Sequence, residues 1–541
     1  MFSLVSTLLV AGLLPSVFAE LRNIDLTIEN KVVSPDGYER SAVTAGGSFP
    51  GTPILIQKGD SVDIAVHNQL SDPTMRRSTS IHWHGFFQAR SSYADGPAFV
   101  NQCPIPPGTT FHYAFDTAGQ TGSYWYHSHL STQYCDGLRG VFIVYDPDDP
   151  HKDLYDVDDE STIITLADWY HDPAPDAQDQ FFETRTVPTP DSSLINGRGR
   201  YVGGDEVPYA VINVEHGKRY RFRLVSISCR PFHTFSIDGH TFTAIELDGV
   251  SHDPVAAQNV DVYAAQRVSV VLEANQTVGN YWIRALPVGG TSKNNPNREC
   301  IQEVNRRCEV FSYLAVDPSL SKAILRYAGA PDEEPTTQPG SGHKLDDAEM
   351  HPIAAEGPGK LGDGPADRTY VLKITQPNQP FFDINGISYI SPPVPVLLQI
   401  MSGASEATDF LPSEQVFLIE QDEIVDIVIP GNGSHPFHLH GHNFDIIRTS
   451  NQTTPNFVNP PRRDVVPIIG TNESNTTFRF KADNPGAWFL HCHIDWHLEA
   501  GLAIVFAESP AENRDGPHKQ ITPDDWKNLC PEYDDLDPDL Q

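Results

Sequence analysis

The chain has 541 residues, including 45 prolines and 39 glycines, and only 20% of its residues are charged. This length predicts three or four domains, and this composition favours short strands and turns over long helices. The formal net charge of −34 argues against nucleic acid and anionic membranes as partners, and solubility in an acidic medium is sufficient to explain it.

The first 19 residues predict a secretory signal peptide, because an apolar centre is followed by small residues ending at Ala19. No Lys or Arg precedes the apolar run. Since no later segment has about 18 uninterrupted apolar residues, the sequence predicts no membrane span. Asn-x-Ser/Thr sequons, typical of secreted glycoproteins, occur at Asn275, Asn432, Asn451, Asn472 and Asn475. The predicted product is a secreted, extracellular protein.

Three β-rich blocks follow this leader. Residues 20–148 alternate apolar and polar side chains in short runs such as TPILIQKGDSVDIAVHN, the pattern of a β-sandwich. The second block, residues 149–330, contains strand-like runs such as GKRYRFRLVS. Residues 331–367 are rich in Pro, Gly and acids and predict a linker. Residues 368–541 form the third block. Blocks one and three share a β-run, a His-rich strand and an aromatic strand with a second His pair, which predicts an internal domain repeat.

Four His-x-His pairs lie in these two blocks: His82 and His84, His127 and His129, His438 and His440, and His491 and His493. On a strand, residues i and i+2 face the same side, about 6.6 Å apart. Solvated or hydrogen-bonded histidines are the alternative, but four pairs in apolar β contexts favour metal binding. Eight imidazoles exceed the roughly four ligands of a zinc site and predict a cluster of several ions. Imidazole suits Zn, Cu, Fe and Ni alike.

Cys492 narrows the choice of metal. The chain has seven cysteines, so in a secreted protein at least one is unpaired or bonded to something else. Cys492 stands between His491 and His493 and therefore faces the opposite side of their strand. With His435 and His497 it offers one thiolate and two imidazoles, the blue-copper ligand set. A plain buried thiol is the alternative. With copper bound, the Cys-to-His backbone would connect that site to the cluster.

The chain resembles the multicopper oxidases, most closely the fungal laccases, in the motifs HWHGFFQ, HSHLSTQYCDGLRG, HPFHLHGH and HCHIDWHLEAGL. The similarity extends to YADGPAFVNQCPI, KRYRFRLVSISC, SIDGH and AAQR. The resemblance implies an all-β fold of three cupredoxin-like Greek-key sandwich domains, and a monomer.

The resemblance also implies four copper ions and their ligands. His435, Cys492 and His497 would hold the type 1 copper, with Leu502 at the axial position, where a non-coordinating side chain should raise the reduction potential relative to Met. His82 and His438 would hold the type 2 ion. One type 3 ion would be held by His84, His127 and His493, and the other by His129, His440 and His491.

The implied reaction is the one-electron oxidation of small phenols or aromatic amines, coupled to reduction of O2 to two waters. Asp95 and Asp495 match family carboxylates thought to deliver protons, and support of the ligand histidines is a compatible alternative. Arg230 stands where many fungal laccases carry an acid near the type 1 site. It would weaken phenol oxidation at low pH or favour anionic substrates such as sulfonated dyes, unless its side chain turns away from the pocket.

The resemblance pairs Cys103 with Cys530 and Cys135 with Cys229, which leaves Cys300 and Cys308 for a local third bridge.

A ferroxidase is the main alternative function, although Gly431 stands where those enzymes carry an acid for Fe²⁺. Ascorbate oxidase is less similar in the second block, and a copper-storage protein would not need all these ligands. Lignin degradation and pigment formation are both compatible with this resemblance.

Overall fold

The structure is a computed structural model that describes residues 19–289, 292–294, 312–314, 316–353, 364–471 and 473–541. The predicted all-β class with three sandwich domains is confirmed. Within the described ranges, helices are short, and none is both long and apolar enough to cross a membrane. The predicted bridge between Cys300 and Cys308 and the sequon at Asn472 lie outside the described residues.

The first domain is a sandwich of two four-stranded sheets. Strands β2, β1, β4 and β6 form one sheet, and β3, β8, β7 and β5 form the other. Alternate residues of β6 such as Phe111, Tyr113 and Phe115 are buried between the sheets. The strands are β1 (Leu21–Val33), β2 (Arg40–Ala45), β3 (Gly51–Gln57), β4 (Ser61–Asn68), β5 (Ile81–His84), β6 (Thr110–Asp116), β7 (Gly122–Ser128) and β8 (Arg139–Tyr145).

The second domain packs a seven-stranded sheet, ordered β11-β10-β9-β13-β18-β15-β16, against a five-stranded sheet, ordered β12-β22-β19-β14-β17. Strands β20 and β21 form a separate pair. Helix α1 spans Ala174–Thr184. The strands are β9 (Ile163–Trp169), β10 (Ser192–Ile195), β11 (Arg198–Tyr201), β12 (Val211–Val214), β13 (Arg219–Ser226), β14 (Phe232–Ile237), β15 (Phe242–Leu247), β16 (Val250–Ala257), β17 (Asn259–Val262), β18 (Arg267–Glu273), β19 (Asn280–Val288), β20 (Ser292–Asn294), β21 (Ser312–Leu314) and β22 (Lys322–Tyr327).

Part of the predicted linker, residues 331–353, packs along the second domain. Leu345 and Met350 are buried in that domain's core. The Asp347 carboxylate accepts a hydrogen bond from Arg463 of the third domain at 2.7 Å. This part of the segment therefore fills the seam between two domains. The predicted domain boundaries fall in connections between strands and stay predictions.

The third domain contains two five-stranded sheets, ordered β23-β27-β32-β29-β30 and β26-β34-β33-β28-β31, and a separate β24-β25 pair. Its strands are β23 (Arg368–Val371), β24 (Ile374–Asn378), β25 (Phe381–Ile384), β26 (Val416–Ile419), β27 (Ile424–Pro430), β28 (Gly433–Leu439), β29 (Phe444–Arg448), β30 (Arg462–Arg463), β31 (Val465–Gly470), β32 (Asn475–Lys481), β33 (Gly486–Cys492) and β34 (Ala503–Glu508). Its helices are α2 (Val396–Met401), α3 (Asp495–Glu499), α4 (Pro510–Arg514) and α5 (Asp524–Asp534).

Single-turn 3-10 helices occur in the connections. They lie at Ser92–Ala94, Gln133–Asp136, Lys152–Leu154, Glu160–Thr162, Pro318–Leu320, Asp347–Glu349, Ala407–Asp409, Pro412–Glu414 and Pro538–Leu540.

Disulfides fasten the domains together. Cys103 of the first domain bonds Cys530 of α5, and Cys135 bonds Cys229 of the second domain. Both pairings were predicted from the resemblance and are confirmed. Among the described cysteines, Cys492 is the one without a disulfide partner, and it is fully buried at the predicted copper site.

Candidate metal centre

Strand register brings the four His-x-His pairs together. In the first domain, β5 pairs with β7 so that His82 lies opposite His127. In the third domain, β28 pairs with β33 so that His438 lies opposite His491. The same device thus occurs in both domains. The eight imidazoles meet between the two domains and are called the histidine cluster below: His82, His84, His127, His129, His438, His440, His491 and His493.

One nitrogen of each ring is directed into the histidine cluster. Six of these buried nitrogens have no hydrogen-bond partner among the described residues: His82 Nε2, His84 Nδ1, His127 Nε2, His129 Nε2, His438 Nε2 and His493 Nε2. The other two, His440 Nε2 and His491 Nε2, lie 3.1 Å apart. Because buried polar atoms without partners are costly, these converging lone pairs fit cations.

At His82, His440, His127 and His491 the outer ring nitrogen is hydrogen-bonded, which fixes the tautomer. His82 Nδ1 donates to the Asp95 carbonyl at 2.7 Å, and His440 Nδ1 donates to the Asp95 carboxylate at 2.8 Å. His127 and His491 donate from Nδ1 to the carbonyls of the residues that follow them, at 2.8 and 3.0 Å. A proton on the outer nitrogen leaves the inner nitrogen with a lone pair for a metal.

Subgroups of the cluster have donor atoms within 4.8 Å of one another. One such group is His129, His440 and His491, which matches a predicted type 3 set. The rings of the other predicted type 3 set, His84, His127 and His493, have centroids 5.1, 5.2 and 5.9 Å apart. His82 and His438, the predicted type 2 pair, have centroids 5.7 Å apart. The division among individual ions stays a prediction.

Burial favours the neutral form of seven of these imidazoles. It lowers the pKa of His491 to about 3. Burial, followed by neighbouring imidazoles, lowers the pKa far below the ordinary histidine value for His84, His127, His129, His438, His440 and His493. Neutral imidazole is the form that binds a metal, so little proton competition is expected near neutral pH.

The second group, called the cysteine trio below, consists of His435, Cys492 and His497. Cys492 Sγ lies 3.6 Å from His435 Nδ1 and 3.7 Å from His497 Nδ1, and the two nitrogens are 3.1 Å apart. Burial raises the pKa of the Cys492 thiol and lowers that of His435 to about 4. A thiolate at this depth therefore requires a cation, which one ion inside the triangle would supply.

Leu502 lies between two members of the trio. Its backbone N–H donates to the His497 carbonyl and its carbonyl accepts from the Cys492 N–H, both at 3.1 Å. The Leu502 side chain is fully buried in the same core cluster as Cys492. No methionine belongs to that cluster in the described part of the chain, so the trio has no thioether ligand from this core.

A short covalent path connects the trio to the histidine cluster. His491 and His493 are the sequence neighbours of Cys492. The His491 ring also donates from Nδ1 to the Cys492 carbonyl at 3.0 Å, which adds a hydrogen-bonded route. The two groups are therefore linked by one strand end.

The two predicted proton-relay carboxylates both lie beside the histidine cluster. Asp95 follows the 3-10 turn Ser92–Ala94 and contacts His82 and His440 as described above. Asp495 begins α3 and lines a narrow space together with His127, His129, His491 and His493. Burial raises the pKa of Asp95, and burial followed by Glu499 raises that of Asp495 well above its ordinary value.

Arg230 is half-buried, and its side chain is held by one loop. The guanidinium donates to the Val187 carbonyl at 3.0 Å, to Thr189 Oγ1 at 3.2 Å and to the Pro188 carbonyl. Its charge, after burial and His435, contributes to lowering the pKa of His497. The side chain is thus neither free on the surface nor remote from the trio.

Sequence reasoning missed three residues that touch the candidate ligands. Asp464 Oδ1 lies 3.3 Å from His84 Nε2, and the Asp464 carbonyl accepts from His438 Nδ1 at 2.9 Å. The Tyr134 hydroxyl lies 3.4 Å from His493 Nδ1. The Phe382 ring packs on the His497 ring, with centroids 4.8 Å apart. The strings PRRDVV and QYCDG contain two of them, but nothing in either string points to a metal.

Comparison with known proteins agrees with this chemistry. Three family models described as multicopper oxidase match residues 27–149, 160–305 and 389–512. Laccase-2 of Agaricus bisporus is 62% identical over 98% of both chains. Laccase-4 of Trametes villosa is 50% identical over 95% of this chain and 94% of its own.

Solved structures show the same architecture. The laccase from Botrytis aclada superposes with a TM-score of 0.81 at 31% identity, covering 96% of this chain and 93% of its own. Fet3p, a multicopper oxidase that functions in iron import, superposes with a TM-score of 0.79 at 29% identity, covering 95% of both chains. From this similarity along its whole length, joined to the two groups of metal-binding side chains, the chain belongs to the multicopper oxidase family, whose cofactor is copper.

Proposed function

We propose that this protein catalyses the laccase reaction. Four phenols or aromatic amines each lose one electron and one proton, and one O2 takes up all four of each to leave as two waters. The observation that carries the proposal is the cysteine trio, joined through Cys492 to a cluster of eight histidines. An electron-entry site and an oxygen-reduction site are thereby placed on one strand.

Copper supplies the one-electron chemistry when bound, with His435, Cys492 and His497 as the proposed type 1 ligands and the histidine cluster holding the other three ions. The chain's own residues do the rest. The Cys492 backbone and its hydrogen bond to His491 form the route between the sites. Phe382 and Leu502 shield the inner side of the trio from water, since both are buried beside it, whereas His497 stays partly exposed. A dry site resists the loss of a bound thiolate to water.

Oxygen and protons reach the histidine cluster from its open side. A cavity of about 670 Å³ is lined by His129, Tyr389, Phe489 and Glu499 among others and gives O2 room to approach.

Asp95 and Asp495 are the proposed proton donors, because each is buried beside cluster imidazoles. An Asp495→Asn variant should be reduced by phenol normally yet reoxidised slowly by O2. A pure supporting role would instead lower its copper content.

An absorption spectrum under air tests the proposal. The copper-loaded protein should show an intense band near the red end of the visible that a methoxyphenol bleaches and O2 restores. A colourless protein with a full copper count would exclude Cys492 as a copper thiolate. Loss of the band in Cys492→Ser, with the other coppers retained, would assign it to that residue.

Ferroxidase activity is the second candidate, favoured by the similarity to Fet3p. Gly431, where an acid for Fe²⁺ would be expected, has no room for one. A Cβ there would lie 2.6 Å from the Ile469 carbonyl and 2.7 Å from the Thr471 carbonyl. Bleaching of the band by Fe²⁺ but hardly by phenol would favour this alternative.

Arg230 is the proposed determinant of substrate charge. A cation close to the trio cannot accept the phenol's proton near neutral pH, and it attracts anionic rings. Arg230→Asp should therefore gain activity on phenols at low pH and lose preference for sulfonated substrates. An unchanged pH profile and an unchanged phenol-to-sulfonate ratio would end this assignment.

We infer further that the protein is exported and acts as a monomer. The signal-like first 19 residues, two disulfides and sequons such as the exposed Asn275 and Asn451 support export. Both halves of the histidine cluster come from one chain, so no second copy is needed to complete it. Recovery of a glycosylated chain from culture medium and its mass by light scattering check both points.

A further inference from the structure

An arginine of the second domain reaches the edge of the histidine cluster. Among the described residues, this domain supplies no side chain to the candidate metal groups. Arg267, the first residue of β18, nevertheless donates from Nη1 and Nη2 to the two carboxylate oxygens of Asp464, at 2.7 and 2.6 Å. Both side chains are buried to within 1% of their surface. The pair is therefore a bidentate contact between the second and third domains.

Asp464 touches one candidate ligand from each of the other domains. Its Oδ1 lies 3.3 Å from Nε2 of His84, the nitrogen that faces away from the metal site. Its carbonyl accepts from His438 Nδ1 at 2.9 Å. One residue thus orients two rings, one assigned to type 3 and one to type 2 copper.

Arg267 is itself held from several sides. Its Nε donates to the Ser123 carbonyl at 2.9 Å, on the strand that carries His127. Its backbone N–H donates to Asp248 Oδ1 at 2.7 Å. Gly85 follows His84 with φ +94°, and a Cβ there would lie 2.6 Å from Arg267 Nη2. The glycine lets the guanidinium pack directly against the backbone next to His84.

We propose that Arg267 is a positioning residue of the histidine cluster, acting through Asp464 on His84 and His438. The proposal rests on the ligand set proposed above. A fixed cation keeps the Asp464 carboxylate turned toward His84, and the fixed backbone at Asp464 keeps the carbonyl directed at His438. Outer hydrogen-bond partners of this kind set ring orientation and ligand basicity.

A purely structural ion pair is the competing explanation, and the chain offers a matched example. Arg284 and Asp238 form a similar buried bidentate pair in the second domain, at 2.7 Å for both contacts. Neither belongs to a candidate metal group. A structural role predicts equal consequences for both pairs, whereas a positioning role predicts copper effects only for Arg267.

The test measures copper binding rather than turnover. Arg267→Gln, Arg267→Lys and the control Arg284→Gln are loaded with copper and compared by electron paramagnetic resonance, where the type 1 signal is an internal standard. The Arg267 variants should shift the type 2 hyperfine splitting and lose about 10- to 100-fold in affinity for type 2 copper against a chelator. The type 1 signal and the control should match the parent.

Asp464→Asn and the Asp464→Asn, Arg267→Gln double variant test the route. Because Arg267 acts through Asp464, the double variant should bind type 2 copper no more weakly than the weaker single variant. If Arg267→Gln does not fold, the type 2 copper signals and affinities of Arg267→Lys and Asp464→Asn test the proposal instead. Folded variants with parental type 2 signals and affinity would overturn the proposal, as would equal losses in Arg284→Gln. A parent without any type 2 signal would overturn the proposed ligand set as well.

Discussion

Leu502 is the proposed axial residue of the cysteine trio, and its side chain has no donor atom. The residue is fixed by backbone hydrogen bonds to His497 and Cys492, so its side chain occupies a constant place in the core beside the trio. An aliphatic side chain donates no electron pair. A thiolate and two imidazoles without an axial donor stabilise the reduced ion, and this favours a high potential.

Leu502→Met should therefore lower the type 1 potential. The exchange conserves volume and should cost less than about 1.5 kcal/mol of stability. A thioether ligand should lower the potential by on the order of 60 mV, a tenfold change for a one-electron couple. Redox titration of the visible band measures this, with Leu502→Ile as the non-coordinating control. Equal potentials in both variants would show that residue 502 does not face the copper.

The sequence predicted the candidate ligands, but it did not predict the residues that form hydrogen bonds to those ligands. The pairs His82 and His84, and His491 and His493, can be recognised in the sequence because every second residue of a strand faces the same side. Asp464 cannot be recognised in this way. It reaches His84 only because the first and third domains pack together, and Arg267 of the second domain orients it. Interdomain contacts of this kind leave no local pattern.

At the scale of elements, the turn after β28 aligns two cluster strands. His440 follows β28, and its N–H donates to the Phe489 carbonyl of β33 at 2.9 Å. Gly441 then turns the chain with φ +73° and lies under the Trp488 ring, where a Cβ would come within 2.5 Å. Trp488 is anchored by its Nε1–H, which donates to the Asn484 carbonyl at 2.6 Å. The indole therefore cannot move aside easily.

Gly441→Ala should damage both stability and copper binding. Positive φ alone costs a non-glycine residue roughly 1–2 kcal/mol. The clash with Trp488 should add about 1–3 kcal/mol and displace His440. Gly386→Ala is the control, because Gly386 has φ +85° and a Cβ added there would have nothing within 4 Å. Unfolding midpoints and copper counts measure the difference, and equal losses in the two variants would refute the role of Trp488.

The segment 331–353 shows where element prediction from sequence ends. Its many Pro, Gly and acidic residues are typical of a linker, and its few apolar residues show no period. Leu345 and Met350 nevertheless fill the core of the second domain, and Asp347 pairs with Arg463. Two isolated apolar residues are too few for a periodic pattern, so only the docked structure assigns them to a core.

At the scale of the molecule, the histidine cluster lies between the first and third domains. Each contributes four imidazoles to one cluster, and the inner nitrogens have no protein partners in the described structure except the contact between His440 and His491. Metal that binds only the folded state stabilises it by mass action.

Removal of copper should lower the thermal unfolding midpoint, and copper at about 100 times its dissociation constant should contribute about 2.7 kcal/mol. Calorimetry of the loaded, stripped and reloaded protein measures this. The reloaded sample controls for damage by the chelator. Identical midpoints for stripped and loaded protein would mean that the domains are held by packing and disulfides alone.

The seam between the second and third domains contains a titratable group of its own. His252 of β16 is fully buried, donates from Nδ1 to the Val250 carbonyl at 2.8 Å and accepts at Nε2 from the Arg462 N–H at 3.3 Å. Only the neutral ring can do both. Burial, opposed by the hydrogen bond to Val250 and assisted by the nearby arginine Arg463, lowers the pKa of His252 to about 3.

This depressed pKa predicts the direction of an acid effect. Since the unfolded chain binds the proton near pH 6.5 and the folded chain near 3, stability from His252 is complete above pH 6.5 and is lost as the pH falls toward 3. Between pH 7 and 4 the loss should reach at most about 3 kcal/mol. His252→Gln should be less stable than the parent at pH 7 and approach it at pH 4, as measured by unfolding midpoints. His112→Gln, at an exposed histidine of β6, is the control. A constant difference between parent and His252→Gln across this range would show that the ring does not resist protonation at the seam.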